Sequence, residues 1–133
     1  MKLLGLMLPL LVSLSLLSGC GEKEKFVIYG SSENEKDVES ILKEDYVDKT
    51  TVIQYDDSML VAVQIKPWDK WRKTKLEKKL QKKFDKKYPN KEVFVSADYK
   101  IYYEANKIKK DKVENNILND KITELIKLAK EET

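Results

Sequence analysis

The chain has 133 residues, 37 % of them charged and 41 % hydrophobic, with a formal net charge of +3. It contains no histidine and one cysteine, which excludes Ser-His-Asp and Cys-His catalysis, imidazole metal ligation and an internal disulfide. The small net charge conceals segregation: Glu22 to Asp57 holds 11 acidic residues against 5 lysines, while Lys70 to Lys87 holds 10 Lys and Arg against only Glu77 and Asp85.

At the start, Lys2 supplies one positive charge, and Leu3 to Leu17 runs without another and with Pro9 inside it. That run is short for a bilayer span and reads as the apolar region of a secretory signal peptide over residues 1–19. It ends in Leu17-Ser18-Gly19-Cys20 rather than an Ala-x-Ala-like site. This pattern resembles the lipobox of bacterial lipoproteins, in which Cys20 would take a diacylglyceryl group, with palmitate-type chains, and become the first mature residue. The competing reading, a soluble secreted protein with an incidental thiol, leaves the signal, the small residues and the sole cysteine as coincidences. Cleavage leaves 114 residues with a net charge of +2, enough for one domain with a modest core. The expected location is the extracytoplasmic face of the cell membrane, where two or more acyl chains anchor stably.

Residues 20–25 are the lipidated cysteine and a short polar spacer. Phe26 to Tyr29, closed by Gly30, is a β-prone run. Ser32 and Glu35 have capping-box spacing before a helix over 33–46 that carries Val38, Ile41 and Leu42. Thr50 to Tyr55 reads as a second strand, turned by Asp56-Asp57-Ser58. Met59, Val61, Val63 and Ile65 alternate with Leu60, Ala62, Gln64 and Lys66 in a third, which stops at Pro67. Asp69 is placed to cap a long helix through Lys87, with Leu76, Leu80 and Phe84 every four residues and Trp71 off that stripe. Tyr88-Pro89-Asn90 ends it. Val93, Val95 and Ala97 mark a fourth strand, and Asp98 caps a helix with Ile101, Ala105 and Ile108. A last helix over 112–130 presents Leu118, Ile122, Leu125 and Ala129.

The order βαββαβ plus two helices gives an α+β class with a ferredoxin-like antiparallel sheet and helices on one face. The domain is expected over residues 26–110, with 111–133 as a C-terminal helix.

Chemistry is sparse. With only Gly21 and Gly30 left after maturation, no glycine-rich loop can cradle phosphate, and no cofactor is expected. Asp56-Asp57 fits turn chemistry better than cation binding, Glu44, Asp45 and Asp48 fit a solvated face, and Asp98 fits a cap better than a general base. No metal site and no enzymatic activity are expected. The strongest surface feature is the basic helix, where Lys70, Arg72, Lys73, Lys75, Lys78, Lys79, Lys82, Lys83, Lys86 and Lys87 are candidates for binding an anionic surface. Anionic lipid headgroups are the nearest partner, at about 1 kcal/mol for each Lys or Arg close to them. A wall polymer or an acidic protein are the alternatives. Nucleic acid is not expected outside the membrane, despite Trp68, Trp71 and Tyr88 among the lysines.

The run from Leu60 to Ile108 resembles the core of the YhcN/YlaJ-type sporulation lipoproteins of endospore-forming bacteria. It shares the apolar Val61-Ala62-Val63 strand, the Lys/Glu-rich helix closed by Tyr88-Pro89, and the V-x-V-S-x-D-x-K run from Val93 to Lys100. The resemblance implies synthesis in sporulation, a spore membrane location and a link to germination, with Cys20 as the functional residue. The leading expectation is a non-catalytic binding or scaffolding lipoprotein. The alternative is a small structural module of a cell-envelope assembly that forms a homo-oligomer through its sheet edge or by charge pairing between copies.

Overall fold

Four runs rich in β-branched and aromatic residues form strands in the computed structural model, which describes residues 25–30 and 34–132. They are β1 (Phe26–Gly30), β2 (Val47–Tyr55), β3 (Ser58–Ile65) and β4 (Glu92–Ser96). The helices are α1 (Glu35–Leu42), α2 (Lys73–Lys87), α3 (Tyr99–Lys110) and α4 (Asn115–Glu132), with a 3-10 turn at Pro67–Arg72 leading into α2. The signal peptide, Cys20 and Ser32 lie outside the described residues. Along the chain the order is the expected one.

In space it is not. The strands stand in sequence order, with β1 parallel to β2, β2 antiparallel to β3, and β3 parallel to β4. The sheet is mixed, and helices cover both of its faces, so the ferredoxin-like antiparallel sheet with one helical face is corrected. The cause lies in the central strands. Val52, Met59, Val61 and Val63 are fully buried on one face, and Ile53, Leu60 and Ala62 are fully buried on the other. Strands apolar on both sides require cover on both sides. Helices α1 and α2 cover the first face with Val38, Leu42, Leu76, Leu80 and Phe84. Helices α3 and α4 cover the second with Ile101, Ala105, Leu118, Ile122 and Ile126.

A consequence concerns handedness. The crossovers β1-α1-β2 and β3-α2-β4 pass over the same face and step the same way across the sheet, yet they leave from strands of opposite direction. They therefore have opposite hands, and one of them departs from the right-handed form that about 98 % of such units adopt.

Local signals act as read in some places and are overruled in others. The Asp98 side chain accepts from the Lys100 N–H at 2.8 Å and caps α3. Asp69 does not cap α2, because Pro67 opens a 3-10 turn that moves the helix start to Lys73. Asp69 pairs instead with Arg72 at 2.8 Å. Asn34 occupies the position before α1, and that helix stops at Leu42 rather than residue 46. Tyr46 has already turned toward the sheet, where its carbonyl accepts from Lys66 N–H at 2.9 Å. On the second face, Tyr29 Oη donates to the Val113 carbonyl at 2.6 Å and Thr51 Oγ1 to Asn106 Oδ1 at 2.7 Å, tying the sheet to α3 and the loop before α4.

Edge strands expose unpaired backbone groups. On β4, α2 supplies the missing partners. Gln81 Nε2 donates to the Val93 carbonyl at 2.7 Å, Gln81 Oε1 accepts from Val95 N–H at 2.8 Å, and Glu77 Oε2 accepts from Ala97 N–H at 2.7 Å. Gln81→Ala strips two of these bonds and is expected to cost about 1–2 kcal/mol. A thermal melt should fall accordingly, and light scattering should show association at high concentration through the bared edge. An unchanged melt and an unchanged mass would show that the side-chain seal is immaterial.

Candidate functional site

Helix α2 is amphipathic with an unusual division of labour. Leu76, Leu80 and Phe84 recur every four residues and enter the core, with Phe84 stacking near Tyr88 at 6.4 Å between ring centroids. The flank toward β4 carries Glu77 and Gln81. The flank toward α1 carries Lys83, paired with Glu44, and Lys79, whose ammonium lies 5.9 Å from the Tyr46 ring centroid. That leaves Lys75, Lys78, Lys82 and Lys86 on the outward face, all exposed and with no ion pair among the described residues. They cover about 16 Å of helix.

Of the ten basic residues singled out by sequence, Arg72 and Lys83 are thus engaged in ion pairs within the fold. Lys70, Lys73 and Lys87 are exposed, with Lys70 in the 3-10 turn and Lys73 directly after it. The ten do not form one uniform patch. The outward four make a stripe, the pair at 79 and 83 faces α1, and the rest lie at the two helix ends.

The two tryptophans, whose placement the sequence left open, stand in solvent: Trp68 is 70 % and Trp71 82 % exposed. Lys66 lies 5.9 Å from the Trp68 ring centroid and the Arg72 guanidinium 5.6 Å from that of Trp71, which brackets each indole with a cation.

The acidic residues take other places. Asp56 and Asp57 form the β2–β3 hairpin turn, Asp56 with a positive φ of 53°. Among the described residues, no three acidic side chains converge as a cation site. Asp45 and Asp48 line a concavity of about 400 Å³ together with Glu39, Lys43, Lys25 and Lys66. Tyr46 and Tyr88 are the tyrosines with displaced acidity. Burial pushes both hydroxyls up, helped by the Glu44 carboxylate at Tyr46, where Arg72 pulls the other way, and by Asp37 at Tyr88. Both are neutral at physiological pH.

Sequence reasoning missed Gln81 and Glu77 as the residues that seal the sheet. The available signal was their spacing of four, directly beside the apolar stripe, on a helix otherwise filled with lysine.

Chemically, the outward stripe suits a repeating or planar array of anions, since it offers several point charges and no cleft. Among the described residues, no helix is long and apolar enough to cross a membrane. The model of the family described as sporulation lipoprotein YhcN/YlaJ matches residues 27–128, from β1 into α4. No curated protein and no solved structure matches the chain.

Proposed function

The chain belongs to the YhcN/YlaJ family of sporulation lipoproteins, and from that premise we propose how it acts in sporulation. Cys20 carries the lipid and holds the protein on the extracytoplasmic face of a spore membrane. The folded domain works there without catalysis, as a binding or scaffolding element in spore formation or germination, with the lysine face of α2 turned to an anionic partner.

The observation that carries this reading is the outward stripe of Lys75, Lys78, Lys82 and Lys86. Lys78 with Lys82, and Lys82 with Lys86, are like charges four residues apart, each pair costing about 0.2–0.5 kcal/mol of helix stability. Among the described residues none of the four makes an ion pair, which leaves the stripe available to an anionic partner. Catalysis is disfavoured by composition, since the chain has no histidine and its one cysteine is assigned to lipid. Self-assembly through a sheet edge would have to use β1, because Gln81 and Glu77 occupy the outer edge of β4.

The test follows the tagged protein, expressed from its own locus, through growth and sporulation, beside a variant with all four outward lysines changed to glutamine. The parent should accumulate in the membrane fraction of sporulating cells only. The variant should reach the same fraction, yet germinate as poorly as a deletion strain. A constant level during growth would sink the sporulation reading, and normal germination of the variant would sink the role given to the lysine face.

A further inference from the structure

The strand directions fix which end of the domain is near the tether. β1 and β2 begin, and β3 and β4 finish, at the same end of the sheet. Lys25, the residue before β1, and Lys66, the residue after β3, line the same concavity there. Lys25 is five positions after Cys20, a reach of at most about 18 Å when fully extended. With Cys20 in the bilayer, a reading on which this inference rests, that end of the domain is confined to the membrane surface.

The same end holds the most exposed aromatic side chains of the described fold. Trp68 and Trp71 lie on the 3-10 turn directly after β3, and Tyr99, 70 % exposed, opens α3 directly after β4. Tryptophan and tyrosine are the residues that settle at the membrane–water interface, with an apolar ring inward and a polar edge toward headgroups. Lys66, 5.9 Å from the Trp68 ring centroid, and the exposed Lys70 and Lys73 are their neighbours along the chain and carry the charge that anionic headgroups attract. Across the sheet, the β1–β2 side of this end carries Glu39, Glu44, Asp45 and Asp48 against Lys25 and Lys43, whereas the turn corner carries Lys66, Lys70, Arg72 and Lys73 against Asp69 alone. Charge complementarity therefore tilts the β3–α2 corner toward an anionic bilayer.

We infer that the Pro67–Arg72 turn is a second membrane contact, in which Trp68 and Trp71 insert into the interface of an anionic bilayer and fix the orientation of the tethered domain. The helix α2 begins at this corner and runs away from it, which lifts the far half of its lysine stripe off the membrane and leaves it open to the partner proposed above.

Trp68 and Trp71 are the only tryptophans in the chain, so intrinsic emission reads this turn alone. The lipidated protein is reconstituted into phosphatidylglycerol-containing vesicles that carry a brominated phospholipid. Emission should shift to shorter wavelength, be quenched by the bromines and be shielded from aqueous iodide. Flotation of the same sample reports the Cys20 anchor independently. Protein that floats with tryptophans open to iodide and untouched by bromine overturns the inference and leaves the anchor standing. Protein that fails to float, but is quenched by bromines when vesicles are in excess, removes the anchor and keeps the turn; failure of both readouts overturns both. An emission shift caused by a soluble anionic wall polymer and not by vesicles also overturns the assignment. In a Cys20→Ala background, Trp68→Ala and Trp71→Ala should each weaken vesicle binding by about tenfold. Both indoles are mostly exposed, so the melts of the variants should match that of their parent.

Discussion

Cys20→Ala should transfer the protein almost completely from the membrane fraction to the soluble one. To keep export and cleavage intact, the variant is made behind a signal peptide with an Ala-x-Ala site in place of residues 1–19. The expected size of the effect follows from the acyl chains. At about 0.8 kcal/mol per buried methylene, one long chain gives only reversible membrane binding, whereas two or more make dissociation negligible. No helix among the described residues is able to replace that anchor by spanning the bilayer. On the inference drawn above, Trp68, Trp71 and the neighbouring lysines should leave the variant a weak association that high salt removes. Intact mass of the parent should show the diacylglyceryl group on the first mature residue. A variant that stays on the membrane through a high-salt wash would show that the anchor lies elsewhere in the chain.

The largest loss of stability is expected from Gly30→Ala. Gly30 ends β1 at φ +100°, in the left-handed region that side chains strongly disfavour. A Cβ there would stand 1.9 Å from the Gln54 carbonyl oxygen and 3.3 Å from Leu118 Cδ2. Gln54 is the β2 residue paired with Gly30 in the parallel register, so the clash is with backbone that cannot yield without breaking the β1–β2 pairing. Strain of this kind costs about 1–3 kcal/mol before the clash is counted, and we expect at least 3 kcal/mol in total. Against the roughly 5–15 kcal/mol that holds a domain together, that is a large share. A melting temperature lower by about 10–20 °C is the expected reading. A melt within a few degrees of the parent would mean that β1 reaches β2 by another path.

The residues explain which parts of this protein could be read in advance. The stripe of Leu76, Leu80 and Phe84, the cap at Asp98, and the buried Leu118, Ile122, Leu125 and Ala129 all follow from periodicity or from bonds between near neighbours, and all take their expected places. Asp69 shows where local reading fails: its spacing suits a cap, but Pro67 inserts a 3-10 turn and Arg72 captures its carboxylate. The two-sided burial of β3 was visible as an unbroken run from Met59 to Val63, although strict alternation at Met59, Val61 and Val63 invited a one-sided reading. Of the basic surface, the existence of exposed lysines was legible. Their sorting into an outward stripe, an α1-facing pair and a corner beside two tryptophans was not, because Glu44 and Tyr46 approach α2 from more than thirty residues earlier in the chain.

By itself the sequence determined the helices and strands in their order, most of the core-facing residues, the lysine-rich helix, and the lipobox resemblance at Cys20. These depend on periods of two and about four residues and on short motifs, whose physics is local. Only the tertiary structure decided that the strands lie in the order β1-β2-β3-β4, that both faces are covered, and that Gln81 closes an edge twelve and fourteen residues away. It alone brought Lys25, at the start of β1, and the exposed tryptophans, just after β3, to one end of the sheet. Pairing between strands is set by the joint burial of surfaces contributed by distant segments, and no short window of sequence contains both partners.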